Sequence, residues 1–290
     1  MVVVKLMGGL GNQMFQYACG RRIALANSVP LKLDTSDVRG NVGRTYGLCR
    51  LNISAEIAAD ADIERFRKSD LIRKALYRAH LIRTPYREHN VVREGFFHFD
   101  ERILFLSDDT YLEGYWQSER YFSDIKDVIR REFTFKSEPD SENQRIGKDI
   151  LQANSVSVHV RRGDYVSDPK TSYVHGVCSM EYYQRAVRQI ADKVAQPHFF
   201  VFSDDPEWVR SNLLLDYPVT YVTHNSGDKS FEDLRLMSLC THHIIANSSF
   251  SWWGAWLGRN ADKAVIVPNR WFNDFPADTK DLLPSSWLRI

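Results

Sequence analysis

The chain has 290 residues, of which 43% are hydrophobic and 26% are charged. That length fits one large domain or two domains of about 130–150 residues, with ample apolar material for a core. The formal net charge is only +1. Because a strongly basic or acidic surface is what attracts nucleic acids and other polyanions, this balance argues against such partners and restricts any anion site to a local cluster.

The cysteines and the N-terminal sequence favour a reducing, cytoplasmic location. The four cysteines are widely spaced and form no CxxC pair, so they predict neither a disulfide framework nor a zinc site. The opening MVVVKLMGGLGNQ lacks a basic leader and a long apolar core, and we expect a strand there rather than a signal peptide. The sequence contains no run of about 18 apolar residues, so no membrane span is predicted.

The first half of the chain begins with a β-loop-α-β pattern. Residues 2–7 are a β-branched run, GGLGN follows as a turn, and the next helix has Phe15, Cys19, Ile23 and Ala26 on one face. A second strand is predicted at residues 30–34, and such a unit normally pairs its strands in parallel.

The middle of the chain is predicted to contain helices at residues 54–80 and 118–133. Two strands are predicted within residues 100–116, around a turn at 107–110. Residues 136–144 are polar, contain proline and lack periodicity, so they are the predicted linker.

Strands and helices alternate clearly in the second half. The predicted strands are 155–160, 198–202, 219–222, 242–246 and 264–268. The predicted helices are 180–194, 206–214, 230–240 and 250–257. Ser179, Asp205 and Ser230 occupy helix N-cap positions, and Pro206 suits a first helical position. The whole pattern predicts two doubly wound α/β halves joined near residue 140.

Glycines after the first predicted strand can let backbone N–H groups approach a ligand. The spacing of GGLGNQ, residues 8–13, matches neither GxGxxG nor GxxxxGK[ST]. From this motif alone, a tight turn with Asn12 as helix N-cap is slightly favoured. A ligand role is the alternative, because ligands of open α/β sheets bind at the carboxyl ends of the strands.

The segment HVRRGDY, residues 159–165, ends a predicted buried strand with two arginines. Strand periodicity places His159 and Arg161 on one face, and Arg161 and Arg162 emerge at the carboxyl end, where Gly163 permits a sharp turn. A guanidinium group binds phosphate through two N–H groups and stays charged. We therefore predict a site that neutralises a diphosphate without a metal, rather than a solvated surface pair.

The segment FFVFSDD ends another predicted strand with two aspartates. Asp205 is predicted to be the N-cap before Pro206, which leaves Asp204 freer to accept hydrogen bonds from a base or ribose. A Mg²⁺ site against a diphosphate is the alternative for this pair.

The segment HIIANSSFSWWGAWLG, residues 243–258, is the most distinctive. A strand runs into Asn247, Ser248 and Ser249, and a helix starts with Phe250. Their amide and hydroxyl groups, together with the N–H groups of a helix start, predict a phosphate site. The three tryptophans that follow are predicted to be core.

Nine basic residues lie between residues 65 and 93. A solvated helical face is the favoured interpretation. Peripheral contact with an anionic inner-membrane surface is the alternative.

Together these segments resemble the bacterial α-1,2-fucosyltransferases, glycosyltransferase family 11. The resemblance rests on MGGLGNQMFQYACGRRIA, YLEGYWQSERYF, VHVRRGDY, FVFSDD, NSSFSWWGAWL and VIVPNRWF, which follow the family's order from residue 7 to residue 272. The joint occurrence of VHVRRGDY and NSSFSWWGAWL is highly specific, whereas GGLGNQ or FSDD alone would be weak.

The resemblance implies a GT-B fold, α/β with two Rossmann-like domains facing across a cleft. We assign residues 1–140 to an acceptor-side domain, residues 145–275 to a GDP-fucose-binding domain and residues 276–290 to a C-terminal tail. The implied reaction moves L-fucose from GDP-β-L-fucose to a galactose 2-hydroxyl with inversion, and it needs no metal or other cofactor. An O-antigen unit or similar cell-surface glycan is the implied acceptor, at the cytoplasmic face of the inner membrane.

The resemblance also implies residue roles. Arg161 and Arg162 would bind the phosphates, Asp204 would approach the guanosine, and Ser248 and Ser249 would lie on the phosphate side. The full set expected to contact the donor is Gly9, Asn12, Arg161, Arg162, Asp204, Asn247, Ser248, Ser249 and Phe250.

Catalysis would depend on the negative charge that develops on GDP as the glycosidic bond breaks. Arg161 is the candidate for stabilising it. A single inversion also calls for a base near the acceptor hydroxyl. Asp164 and His159 are the candidates, with two alternatives: Asp164 orients an arginine, or a leaving-group phosphate takes the proton.

Two other functions are compatible with these motifs. The first is a fucosyltransferase of α-1,3 or α-1,6 linkage, or another GDP-sugar enzyme, although NSSFSWWGAWL favours the α-1,2 group. The second is a non-catalytic GDP-sugar-binding or carbohydrate-binding module, for which seven tryptophans and thirteen tyrosines allow sugar stacking. An arginine pair aimed at a diphosphate favours an enzyme.

Overall fold

The computed structural model describes residues 1–39, 45–79, 81, 90–273 and 277–290, apart from the side chains of residues 69, 70, 73, 74 and 77. These residues form two compact units. The first is Met1–Lys136 with Asp278–Leu283, and the second is Ser137–Ala277 with Pro284–Ile290. The residues assigned above to a C-terminal tail are thus divided between the units. Residues 80 and 82–89 of the basic segment 65–93 lie outside the described residues.

The first unit is built on a parallel sheet of five strands. These are β1 (Val2–Lys5), β2 (Leu31–Asp34), β3 (Glu56–Ile57), β4 (Val91–Arg93) and β5 (Thr110–Glu113). Their spatial order is β3-β2-β1-β5-β4, so β1 is central. The α-helices of the unit are α1 (Leu10–Ala26), α2 (Ser36–Arg39), α3 (Asp60–Arg78) and α4 (Lys126–Glu132).

Strand β1 and helix α1 confirm the predicted β-loop-α-β unit. The three valines of β1 are fully buried, as expected of a central parallel strand that is covered on both faces. Phe15, Cys19 and Ile23 of α1 are buried as predicted. Ala26 is exposed because it is the last residue of the helix.

Three predictions in the first half are wrong in part. The helix predicted at 54–80 begins only at Asp60, since Glu56–Ile57 forms strand β3. Only the second of the two strands predicted within residues 100–116 exists, since Glu101–Phe105 forms a 3₁₀ helix. The helix predicted at 118–133 is α-helical only over α4. Two 3₁₀ turns precede it, and Phe122, with φ of −143°, breaks the run between them.

The second unit is built on a parallel sheet of six strands. These are β6 (Asn154–Val160), β7 (Pro197–Ser203), β8 (Val219–Val222), β9 (His242–Ile244), β10 (Val265–Val267) and β11 (Leu288–Arg289), in the order β11-β10-β9-β6-β7-β8. The α-helices are α5 (Ser141–Gln152), α6 (Gly163–Ser167), α7 (Pro169–His175), α8 (Met180–Ala191), α9 (Pro206–Asn212), α10 (Phe231–Leu239) and α11 (Ser249–Leu257). The five strands predicted for this half are confirmed.

Helix α5 begins inside the predicted linker. The Asp140 side chain caps it by accepting the N–H of Asn143. Its buried face consists of Asn143, Ile146, Gly147 and Ile150. Because residues 141–145 are all polar and the apolar positions begin only at Ile146, the first turn of this helix resembles a linker in the sequence.

Two of the three predicted N-caps are confirmed. The Ser179 side chain accepts the N–H of Tyr182, and the Asp205 side chain accepts that of Trp208. Ser230 precedes α10 but makes no capping hydrogen bond through its side chain, because its backbone is already helical.

The tryptophans of α11 are core, as predicted. Trp252 and Trp253 are fully buried and Trp256 is 6% exposed. The rings of Trp252 and Trp253 lie 5.0 Å apart, edge to face.

Gly20 determines how closely α1 approaches β1. A Cβ at Gly20 would lie 2.2 Å from Cγ2 of Val4. We therefore expect Gly20→Ala to lower the free energy of unfolding by about 1–3 kcal/mol through overpacking. Gly95→Ala is the matched control, since a Cβ there meets nothing within 4 Å. Urea unfolding checks this, and equal stability of the two variants would contradict the close packing.

Candidate functional site

Three loops of the second unit meet at one edge of its sheet. Arg161 and Arg162 follow β6, Asp204 and Asp205 follow β7, and the segment 245–248 follows β9. Strands β9, β6 and β7 are parallel neighbours, so their carboxyl ends lie side by side. This is the edge at which ligands of open α/β sheets bind.

The Arg161 guanidinium lies between two carboxylates. Its Nη2 donates to Oδ1 of Asp164 at 2.7 Å, and its Nη1 lies 2.9 Å from Oδ2 of Asp204. Burial alone would lower the pKa of Arg161, but Asp204 and Asp164 outweigh it and raise that pKa. The guanidinium also lies over the ring of Tyr165, at 5.3 Å. Arg161 is thus a permanent cation that is held in place and still 31% exposed.

Arg162 is held by a different pair of side chains. Its Nε donates to Oδ2 of Asp205 at 3.0 Å, and its guanidinium carbon lies 3.9 Å from the ring centroid of Trp208. This stacking on an aromatic face orients the guanidinium plane. The side chain is 19% exposed.

Asp204 is not the freer of the two aspartates, contrary to the sequence prediction. Its Oδ1 accepts the backbone N–H of Arg162 at 2.8 Å, and its Oδ2 pairs with Arg161. A Cβ at Gly163 would lie 2.4 Å from Oδ2 of Asp204. Gly163 is therefore needed for the close approach of this carboxylate, and its φ is not positive.

The charge of the cluster also corrects an expectation. Two guanidinium groups and three carboxylates give the five paired side chains a formal charge of −1. The arginines therefore cannot neutralise a diphosphate by net charge. What they offer an anion is a fixed set of directed N–H donors, which are stronger than neutral donors.

Asn247 shapes the loop after β9. Its Nδ2 donates to the carbonyls of His175, Gly176 and Trp271, and its Oδ1 accepts from Cys178. The side chain is 2% exposed. Both ends of the side-chain amide thus bind protein groups and hold the loop in place, whereas a contact of Asn247 with the donor stays a prediction.

Ser248 and Ser249 stand at the start of α11. Ser248 is the N-cap, and its Oγ accepts the N–H of Phe250 at 3.3 Å. A helix start carries partial positive charge, which favours an anion. Phe250 in turn contacts the ring of His159, with centroids 5.7 Å apart. The three adjacent predicted residues thus lie beside the strand that carries the arginines.

The two candidate bases lie in different environments. His159 is 4% exposed, and burial, with Arg161 adding to the effect, lowers its pKa to about 3. An imidazole with that pKa stays neutral near pH 7 and is a poor base. Asp164 pairs with Arg161 through one oxygen, which is compatible with the alternative in which it orients an arginine, and its role as the base stays a prediction.

Gly9 and Asn12 belong to the first unit. Gly9 is the N-cap residue of α1, and Asn12 lies inside the helix. The Asn12 N-cap prediction is therefore wrong. Oδ1 of Asn12 instead accepts a hydrogen bond from Nε2 of Gln117 at 2.8 Å, which links α1 to the loop after β5.

Three contributors to the cluster were missed in the sequence. Tyr165 is buried beneath Arg161 and donates its hydroxyl to the carbonyl of Asn247 at 3.2 Å. His175 stacks on Tyr165 with ring centroids 4.7 Å apart. Trp208 supports Arg162. The sequence signals that could have found two of them are the positions of Tyr165, just after RRGD, and of Trp208, in the first helical turn after SDDP.

Among the residues that the structure describes, no group of three or more His, Cys, Asp or Glu side chains is placed to hold a metal ion. Within the same residues, no helix combines the length and apolar character that crossing a bilayer requires.

The whole chain, residues 1–290, matches the family described as Glycosyl transferase family 11. It belongs to this family. The resemblance found in the sequence is thereby confirmed.

Two full-length relatives come from Escherichia coli. An alpha-1,2-colitosyltransferase is 34% identical over 310 residues, which cover 100% of this chain and 98% of the relative. The O-antigen biosynthesis glycosyltransferase WbnK is 33% identical, with 98% of this chain and 99% of the relative covered. Human galactoside alpha-(1,2)-fucosyltransferase 1 is 30% identical over 186 residues, which cover 60% of this chain and 49% of that protein.

The fold is shared with solved fucosyltransferases. The alpha-1,6-fucosyltransferase NodZ soaked with GDP-fucose has a TM-score of 0.54 at 16% identity, with 88% of this chain and 91% of NodZ covered. NodZ from Bradyrhizobium has a TM-score of 0.51 at 15% identity, with 87% of this chain and 91% of NodZ covered. The GT-B class, with two parallel-sheet α/β units, is confirmed.

We expect Asn247→Ala to destabilise the second unit, because three carbonyls would lose their donor. The expected loss in the free energy of unfolding is about 1–3 kcal/mol. Asn154→Ala is the control, because Asn154 is exposed and donates to a single carbonyl, that of Ala195. Denaturant unfolding measures both. A loss no larger for Asn247→Ala than for the control would contradict its positioning role.

Proposed function

We propose that this protein is an inverting, metal-independent α-1,2-fucosyltransferase. It moves L-fucose from GDP-β-L-fucose to the 2-hydroxyl of a galactose, in an O-antigen unit or a similar cell-surface glycan. The observation that carries the proposal is the Arg161 guanidinium, fixed by Asp164 and Asp204 beside the start of α11.

The fixed guanidinium suits the chemistry of the leaving group. When the bond from C1 of fucose to the phosphate oxygen breaks, that oxygen gains negative charge and the sugar gains oxocarbenium character. Donors that are already oriented stabilise this charge without reorganising during the reaction. Arg161 would serve the phosphate nearest fucose, and Arg162 with the α11 helix start would hold the diphosphate.

The other residues predicted to bind GDP-fucose would act either by direct contact or by positioning their neighbours. Ser248, Ser249 and Phe250 would lie next to the donor. Asn247 would act through the loop that it shapes, and Asp204 through the arginines. Any contact of Asp204 with guanosine would have to use lone pairs that the arginines leave open. Gly9 and Asn12 stay predicted donor contacts from the first unit.

The linkage rests on the relatives. Two of them carry α-1,2 in their names, one a colitosyltransferase and one a fucosyltransferase. Because the colitosyltransferase, unlike the human fucosyltransferase, matches over the full length, a nucleotide-activated colitose is a second candidate donor.

We assign acceptor binding to the first unit and donor binding to the second, with the enzyme at work in the cytoplasm, at the inner membrane surface. The basic segment 65–93 would supply any peripheral contact with anionic lipid.

Arg161→Ala tests the central role. Loss of one such donor should lower kcat by about 100- to 1,000-fold. Arg161→Lys should recover only part of it, because lysine keeps the charge but not the planar fork. The control is Arg145→Ala, an exposed arginine of α5 that pairs with Asp149. Transfer from GDP-fucose to a panel of galactosides is the assay, and undiminished turnover by Arg161→Ala would refute the proposal.

Two further measurements on the wild-type enzyme test the details. Activity should survive EDTA. Complete loss of activity in EDTA, with recovery on addition of Mg²⁺, would instead identify Asp204 and Asp205 as metal ligands. NMR of the product should show an α-1,2 linkage. An α-1,3 or α-1,6 product would assign the chain to the alternative linkage, and turnover only with a colitose donor would select the second candidate.

A further inference from the structure

Glu94 lies at the carboxyl edge of the first unit's sheet, directly after β4. Its side chain closes the turn that follows the neighbouring strand β5. Oε2 accepts the backbone N–H of Tyr115 at 2.7 Å, and Oε1 accepts that of Trp116 at 3.0 Å. The carboxylate is thus fixed in position by two backbone donors.

The turn that Glu94 holds is strained. Trp116 has φ of +54°, the left-handed region that a bulky non-glycine residue rarely adopts. Such conformations persist where surrounding contacts enforce them, and they cluster at functional sites. A Cβ at Gly114 would lie 2.5 Å from Cβ of Glu94 and 2.8 Å from Cε2 of Trp116. Glycine at this position therefore lets the carboxylate side chain and the indole lie close to each other.

The same turn is tied to the glycine loop after β1. Gln117, just beyond Trp116, donates to Asn12 of α1. Because β1, β5 and β4 are adjacent parallel strands, Glu94 and the loop that contains Gly9 lie at the same sheet edge. In addition, the indole Nε1 of Trp116 is buried without a hydrogen-bond partner among the described residues. Buried donors of this kind are uncommon and call for an explanation such as a bound molecule.

The electrostatic setting of Glu94 differs from that of its neighbour Glu113. Lys5 and Arg93 both pair with Glu113, each at 2.9 Å. Burial raises the pKa of Glu94 to about 7, even though its two backbone N–H partners act in the opposite direction. Within the described part of the chain, Glu94 also interacts with Cys19 of α1 and with Tyr121, whose pKa values burial raises further above neutral.

We propose that Glu94 is the base of the transfer reaction and accepts the proton of the sugar hydroxyl that attacks fucose. This inference rests on the proposed function. In the step, the acceptor O–H bond breaks and its proton moves to the Glu94 carboxylate. The acceptor oxygen forms a bond to C1 of fucose, and the bond from C1 to the phosphate oxygen breaks, with its electron pair leaving on GDP.

The carboxylate retains the capacity for this step. Its two oxygens offer about four lone-pair positions, and the backbone of Tyr115 and Trp116 occupies two. A base works best when its pKa is close to the operating pH. Glu94 meets this condition, whereas His159 does not.

The test is Glu94→Gln in the full-length enzyme, after the wild type has been shown to transfer fucose. We expect kcat to fall by about 100- to 10,000-fold, with GDP affinity by calorimetry and KM for the acceptor both unchanged within threefold. The wild-type kcat/KM should decline below pH 7, and this acidic limb should be absent in the variant. Glu101→Gln, an exposed carboxylate of the 3₁₀ helix Glu101–Phe105, is the control.

Glu94→Gln could also lower activity by disturbing the turn, because glutamine has one acceptor oxygen in place of two. The variant Glu94→Asp distinguishes this effect from loss of the base. Aspartate keeps both oxygens, so this variant should be partly active and should retain the acidic limb. A higher KM for the acceptor with the limb intact in Glu94→Gln would make Glu94 a positioning residue and overturn the proposal. A kcat of Glu94→Gln within threefold of the wild-type value would also overturn the proposal. The same holds for a Glu94→Asp variant that is folded but whose pH profile lacks the acidic limb. An inactive wild type would instead count against the proposed function.

Discussion

The arrangement of the second unit's site depends on one interaction, the seating of the Arg161 guanidinium between Asp164 and Asp204. Asp204 can reach it only because residue 163 is glycine. The other oxygen of Asp204 fixes the backbone of Arg162. A guanidinium that is restrained by carboxylates loses little further freedom when an anion binds, so its donors are directed before the ligand arrives.

This preorganisation has an electrostatic cost, because the paired cluster carries a formal charge of −1. The start of α11 and the partial exposure of both arginines are what make an anion acceptable at this edge. In the proposed function, directed donors of this kind would stabilise the charge that a departing nucleoside diphosphate gains as its bond breaks.

Much of the fold could be predicted from the sequence, because β-branched runs, caps such as Asp205 and the RRGD turn are local signals. The start of helix α5 could not, since residues 141–145 are all polar and resemble a linker. Arg161, Arg162, Asp204 and Asp205 were predicted correctly to follow strand ends, but their partners were not visible in the sequence. The pairing of Asp204 with Arg161 and the depressed pKa of His159 arise from contacts between distant segments and from burial. Glu94 was missed because its neighbours Tyr115 and Trp116 come from another strand's loop.

The most direct test is a crystal structure of the protein with GDP. The account predicts that Arg161 donates to an oxygen of the terminal phosphate while its contacts with Asp164 and Asp204 persist, and that the diphosphate lies at the start of α11. A diphosphate bound elsewhere, with Arg161 contacting only its two aspartates, would contradict it.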